Sequence, residues 1–202
     1  RNEKWKDVEL NIPDGIVKNS TIKGIDPKSM VRLIFHGDFK WNRKNHHILK
    51  SLEGVMEIKL REILREDMGG TYGVWIWSQP KHYPKEEYEL NIMFGCSPDN
   101  VEILTNALFT QIESLKKEGI GADYVSKVQE KQRQARDVDI QENRFWLNAI
   151  SKYYYHNENP LNILEYDKLV DALSVDIIKQ ASRKYLNTKK YVQVVLYPEQ
   201  PK

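Results

Sequence analysis

Two side chains able to stabilise negative oxygen stand seven positions apart in Leu60–Ser78, LREILREDMGGTYGVWIWS. Arg65 is a permanent cation with a planar fork of donors, and Tyr72 carries a phenol that can donate a hydrogen bond to an oxyanion. Between them Gly69-Gly70 stops a helical pattern and opens a strand with aromatic residues on both faces. A helix running into a strand through two glycines fixes where the side chains at the turn sit. Plain structural duties suit the same residues: an arginine complements a helix C-terminus, and tyrosine is a good strand former.

Other chemistry finds less support. His46 and His47 are adjacent, so on a helix they point about 100° apart and cannot share an ion unaided. His36, His82 and His156 are isolated in sequence, and neither H-E-x-x-H nor H-x-x-E-H occurs. No metal site built wholly from this chain is therefore expected. Cys96, beside Ser97-Pro98 at a strand end, has no base near it in sequence and reads as a small half-buried residue. Nucleophile-elbow, phosphate-loop and dinucleotide fingerprints are absent. Glu66-Asp67 reads as a solvated pair at a helix end.

The 202 residues suffice for one large domain or two small ones. With 31 Lys+Arg against 29 Asp+Glu, the net charge of +2 gives no reason to expect nucleic acid or acidic membrane as partner. A single cysteine excludes an internal disulfide framework and leaves the compartment open. No run of about 18 apolar residues offers a membrane span. The polar opening RNEKWKDVEL has no Met and no signal-peptide core, and is expected to begin a fragment of something longer.

Residues 1–29 read as a lead-in or linker from a preceding domain, punctuated by Pro13-Asp14-Gly15, Gly24 and Asp26-Pro27. Residues 30–202 read as one α+β domain. Met30 to Phe35 suits a buried strand. From about Arg43 to Arg65, Ile48, Leu52, Val55, Met56, Leu60, Ile63 and Leu64 recur at helical spacing. Tyr72–Trp77 and Tyr88–Phe94 form an expected antiparallel pair, since about ten residues is short for a parallel crossover. Ser97-Pro98-Asp99 starts a helix that ends by Gly119. Asp123 opens a polar helix to about Asn143, whose mixed charges read as a solvated face. An aromatic-rich helix over Phe145–Tyr155 precedes a short one near Asp167–Leu173. Ser174 caps a last helix to Leu186, and Tyr191–Tyr197 is the final strand. The order predicts a mainly antiparallel sheet with helices packed on one face.

At this point the chain resembles the second, zinc-free domain of a half-molecule in the pitrilysin/insulinase-type zinc peptidases, the inverzincins. Leu64-Arg65-Glu66 followed by Tyr72 matches the family's helix end and tyrosine, with Gly69-Gly70-Thr71 where a single Gly or Gly-Leu-x is common. Phe35-His36-Gly37, the start Ser97-Pro98-Asp99-Asn100, Leu173-Ser174-Val175-Asp176-Ile177 and the closing Val-Gln-Val-Val are similar to further landmarks. The likeness covers roughly residues 28 to 198.

What the resemblance implies is a C-terminal-type domain that closes a chamber over a peptide or unfolded polypeptide. Its partner is a zinc-bearing N-terminal domain, in the same chain or another subunit. Zinc belongs to that parent domain, and this chain binds none and is inactive alone. Tyr72 would donate to the scissile carbonyl as it becomes an oxyanion, and Arg65 would hold neighbouring substrate backbone oxygens. Single-chain relatives of this kind are often bacterial and periplasmic. The same fold also serves non-catalytic subunits that hold presequences or scaffold respiratory complexes, and the Arg65/Tyr72 pair favours the enzyme over these.

Overall fold

The computed structural model describes residues 12–199; the first eleven, part of the lead-in, lie outside them. Alternation decides the sheet. In β2 (Ser29–Asp38) Val31, Leu33 and Phe35 are buried, and in β4 (Glu87–Cys96) so are Tyr88, Leu90, Ile92 and Phe94. These sets pair antiparallel, Leu33 opposite Ile92, so one face becomes continuous apolar surface. On the outer edge β3 (Thr71–Lys81) pairs antiparallel with β4, and β5 (Tyr191–Tyr197) pairs antiparallel with β2.

The fifth strand comes from the lead-in. β1 (Ile16–Ile22) runs parallel to β5, Ile16 opposite Tyr191, giving the order β1-β5-β2-β4-β3. The sheet thus begins before residue 30. Its sequence IVKNSTI is mostly exposed, with neither the alternation nor the burial that signals a strand.

The helices cover one face. α1 (Arg43–Leu60) buries Leu49, Leu52, Val55, Met56 and Leu60, while Ile48 is only partly covered. Glu53 ties α1 to β3, its Oε2 accepting from Ser78 N and Ser78 Oγ, each at 2.8 Å. α2 (Val101–Lys117) adds Leu104, Leu108 and Ile112, and α6 (Val175–Tyr185) adds Ile178, Ala181 and Tyr185 to the same core. α3 (Ala122–Asp139) buries only Val125 and Val128; α4 (Asn143–Tyr155) buries no residue fully. α5 is Tyr166–Asp171. The fold is α+β, mainly antiparallel, with helices on one side.

Cap chemistry differs at two predicted starts. Ser174 accepts from Ile177 N at 3.3 Å and caps α6. Ser97 makes no cap bond; the chain enters α2 through a 3-10 turn, Pro98–Asn100, with Pro98 at its head. Cys96 is fully enclosed rather than half-buried, and burial pushes its thiol up to about 11.

Two outcomes follow. Leu90→Ala at the sheet centre should cost about 2–5 kcal/mol in urea unfolding. Cys96 should resist alkylation at pH 8 in the native protein and react fully once denaturant is added; native labelling at a peptide-like rate would mean the strand end opens.

Candidate functional site at the turn into β3

The helical segment that carries Arg65 is not a simple continuation of α1. Residues Arg61–Asp67 wind as a π-helix, and Met68 N donates to Ile63 O at 3.0 Å, five residues back. Leu64 is buried in this wide turn, and Arg65, Glu66 and Asp67 face outward. Gly69 then takes φ +58°, the left-handed conformation that an L side chain resists. At Gly70 the constraint is space: a Cβ would lie 2.7 Å from Leu104 Cδ2 of α2. The paired glycines therefore do different jobs, one turning the chain and one letting it pass against the core.

Tyr72 emerges where the β3–β4 ladder breaks register. Thr71 pairs with Cys96 and Gly73 with Gly95, so Tyr72 is the extra residue of a β-bulge. Thr71 holds this break. Its Oγ1 lies 2.7 Å from Gly95 O and 2.9 Å from Gly73 O, its one proton serving either, and it accepts Gly73 N–H at 3.2 Å. Sequence reading missed Thr71, although a hydroxyl residue directly after a glycine pair is a recognisable place for such a local bond.

The bulge sends the Tyr72 ring outward. It is 61% exposed, with its edge near Gly95 on the sheet face that carries no helix. Lys28 Nζ, from the approach to β2, sits 5.4 Å from the ring centre. Such an exposed cation–π contact contributes about 0.5–1 kcal/mol and limits where the ring swings. Further along that face, Asn91 Oδ1 accepts from Arg32 Nε at 3.1 Å and Nη2 at 2.8 Å, and the guanidinium lies over Trp77. Arg65 has no ion pair or side-chain hydrogen bond among the described residues. Both predicted site residues thus flank one bend with their polar ends unengaged. Neither lines the cavity that lies among the helices.

The histidines redistribute. His82 and His156, far apart in sequence, meet with Nδ1 atoms 3.0 Å apart beside Trp41. His46 and His47 are held neutral, burial pushing each down to about 4. Among the described residues no group of three or more His, Cys, Asp or Glu is placed to hold a metal ion, so they do not fit zinc. Nor is any described helix long and apolar enough to cross a membrane.

The chain belongs to the peptidase M16 inactive-domain family, whose model matches residues 3–132. It is 26% identical over 166 residues to the probable zinc protease PqqL of Haemophilus influenzae, covering 78% of this chain and 18% of that one. In fold it matches the periplasmic protease PqqL of Escherichia coli, with TM-score 0.78 and 18% identity over 91% of this chain and 20% of the other. The peptidase M16 inactive domain of Pseudomonas fluorescens gives TM-score 0.76 at 16% identity, covering 93% of this chain and 44% of that one. The chain thus spans about a fifth of the PqqL proteins it resembles.

Thr71→Val, which keeps shape and deletes the shared hydroxyl, should lower stability by about 1–3 kcal/mol. Amide exchange should quicken first at Gly73 and Gly95, and uniform exchange across β3 would show that the hydroxyl does not hold the bulge.

Proposed function

We propose that this chain is the zinc-free part of an M16-type metallopeptidase, closing the chamber and presenting Tyr72 and Arg65 to the substrate peptide. The observation that carries the reading is the bulge: it turns a phenol outward at the end of an uncovered sheet face instead of packing it. The Tyr72 hydroxyl donates to the scissile carbonyl oxygen as charge develops on it. Arg65, a fixed cation beyond the glycine turn, holds peptide oxygens alongside and limits substrate drift. A donor placed in advance costs no reorganisation when the charge appears, and in a closed, water-poor site its effect grows.

The described residues do not fit zinc, and in this reading the metal and general base belong to another domain, in the same chain or a partner subunit. That zinc-bearing domain is the partner this reading requires, with a peptide or unfolded polypeptide as substrate. Family membership and the name zinc protease on the Haemophilus influenzae relative support it. The periplasmic setting of the Escherichia coli protein supports an extracytoplasmic parent. In this reading the lead-in still connects to a preceding domain, but its stretch Ile16–Ile22 belongs to this domain's own sheet as β1, so the domain does not start at residue 30.

In the complete protein, Tyr72→Phe should lower kcat about 100- to 1,000-fold with unchanged unfolding temperature. Arg65→Gln should act more on KM. Unchanged turnover in Tyr72→Phe would remove the oxyanion role. The 202-residue chain alone should release no fluorescence from a quenched peptide; cleavage by it would place a complete active site here.

A further inference from the structure

A second site lies away from Tyr72, among the helices. α1, α3, α4 and the 3-10 turn leading to α5 line a half-open cavity of about 290 Å³. Its volume is roughly ten times the 30 Å³ share of one water, room for a ligand of about ten heavy atoms. Trp41, Phe145, Tyr153 and Tyr166 supply aromatic walls.

The charge of those walls is one-sided. Arg43, Lys50, Arg136 and Lys152 line the cavity against one carboxylate, Glu158. Glu158 Oε1 is engaged by Trp41 Nε1 at 2.7 Å. Arg43 reaches Glu165 at 3.7 Å and Lys50 reaches Glu53 at 2.7 Å, both outside the lining. Arg136 and Lys152 have no carboxylate partner among the described residues. The Arg136 guanidinium lies 4.5 Å from the Phe145 ring centre and 5.0 Å from that of Tyr166, and it donates to Ile163 O. Lys152 Nζ lies 3.3 Å from His46 Nε2, to which it donates, and 5.7 Å from the Trp41 ring.

Glu158 is the one carboxylate in the lining, and its charge only partly offsets the four cations there. Burial pushes the Lys152 ammonium down from its ordinary value, while His46 stays neutral as its acceptor. His47, only 7% exposed, also lines the cavity, and its Nε2 has no hydrogen-bond partner. Lys152 is exposed and Arg136 half-buried, so both stay open to an incoming anion, while the buried, unpartnered His47 nitrogen is costly without a ligand. A planar fork and an ammonium against ring-lined walls match a flat body carrying one anionic group.

We propose that this cavity binds a small aromatic carboxylate, its ring against the aromatic walls and its carboxylate held by Arg136 and Lys152. The carboxylate belongs to a free small molecule or to the C-terminal aromatic residue of a peptide. This site is independent of the role assigned to Tyr72.

Calorimetric titration of the 202-residue chain with phenylacetate, N-acetylphenylalanine and N-acetylphenylalanine amide tests it. At least one carboxylate should bind with sub-millimolar Kd, and the amide about tenfold more weakly or worse, as loss of a charge-assisted bond predicts. Preference for phenylacetate identifies a free acid; preference for N-acetylphenylalanine identifies a peptide end. Lys152→Met, which keeps the apolar stem, should weaken carboxylate binding by about tenfold or more. Lys131→Met, on the outer side of α3 where Lys131 pairs with Glu57, should not. No binding of either carboxylate at millimolar concentration, or equal affinity for carboxylate and amide, would overturn the proposal. The amide comparison needs no variant, so it decides even where Lys152→Met fails to fold.

Discussion

One shared hydroxyl proton sets the geometry on which the site depends. Thr71 Oγ1 sits between the carbonyls of Gly73 and Gly95 and accepts the Gly73 amide. With the register broken there, Tyr72 is lifted out of the alternation. An unbroken ladder would give Tyr72 a regular partner and a fixed face of the pleat. Around it, a π-turn, a left-handed Gly69 and a close-packed Gly70 bring the chain from α1 to β3 without burying Arg65.

The sheet supplies the rigidity behind that bend. Its helix-covered face holds Leu33, Phe35, Leu90, Ile92 and Phe94 without solvent contact, and α1 is clamped to β3 through Glu53 and Ser78. Its other face keeps Trp75 and Tyr72 substantially exposed, with Val194 and Leu196 exposed further across. In the function proposed above, this open face is the one turned toward the zinc-bearing domain.

Much of this was legible in the residues. The strand Tyr191–Tyr197 and the β3–β4 hairpin declare themselves through alternation, and α1 through its apolar stripe. β1 was not legible, because an edge strand pairs on one side only and its partner lies more than 170 positions away. The π-turn is set by packing of Leu64 and the passage of Gly70 past Leu104, which no local period reports. Of the proposed site, Arg65 and Tyr72 rest on spacing and resemblance, whereas the placement of Thr71 and Lys28 beside them depends on register and loop course. Arg136 misleads most: its helix reads as evenly charged, yet this guanidinium turns inward between two rings.

The most direct measurement places a photoreactive benzoylphenylalanine at position 72 of the complete protein with a slowly cleaved peptide bound. Irradiation should join position 72 to the residues flanking the scissile bond, with no comparable product when the same group replaces Leu147 on α4. Equal yields at the two positions, or attachment only at the peptide's ends, would contradict a Tyr72 aimed at the reacting carbonyl.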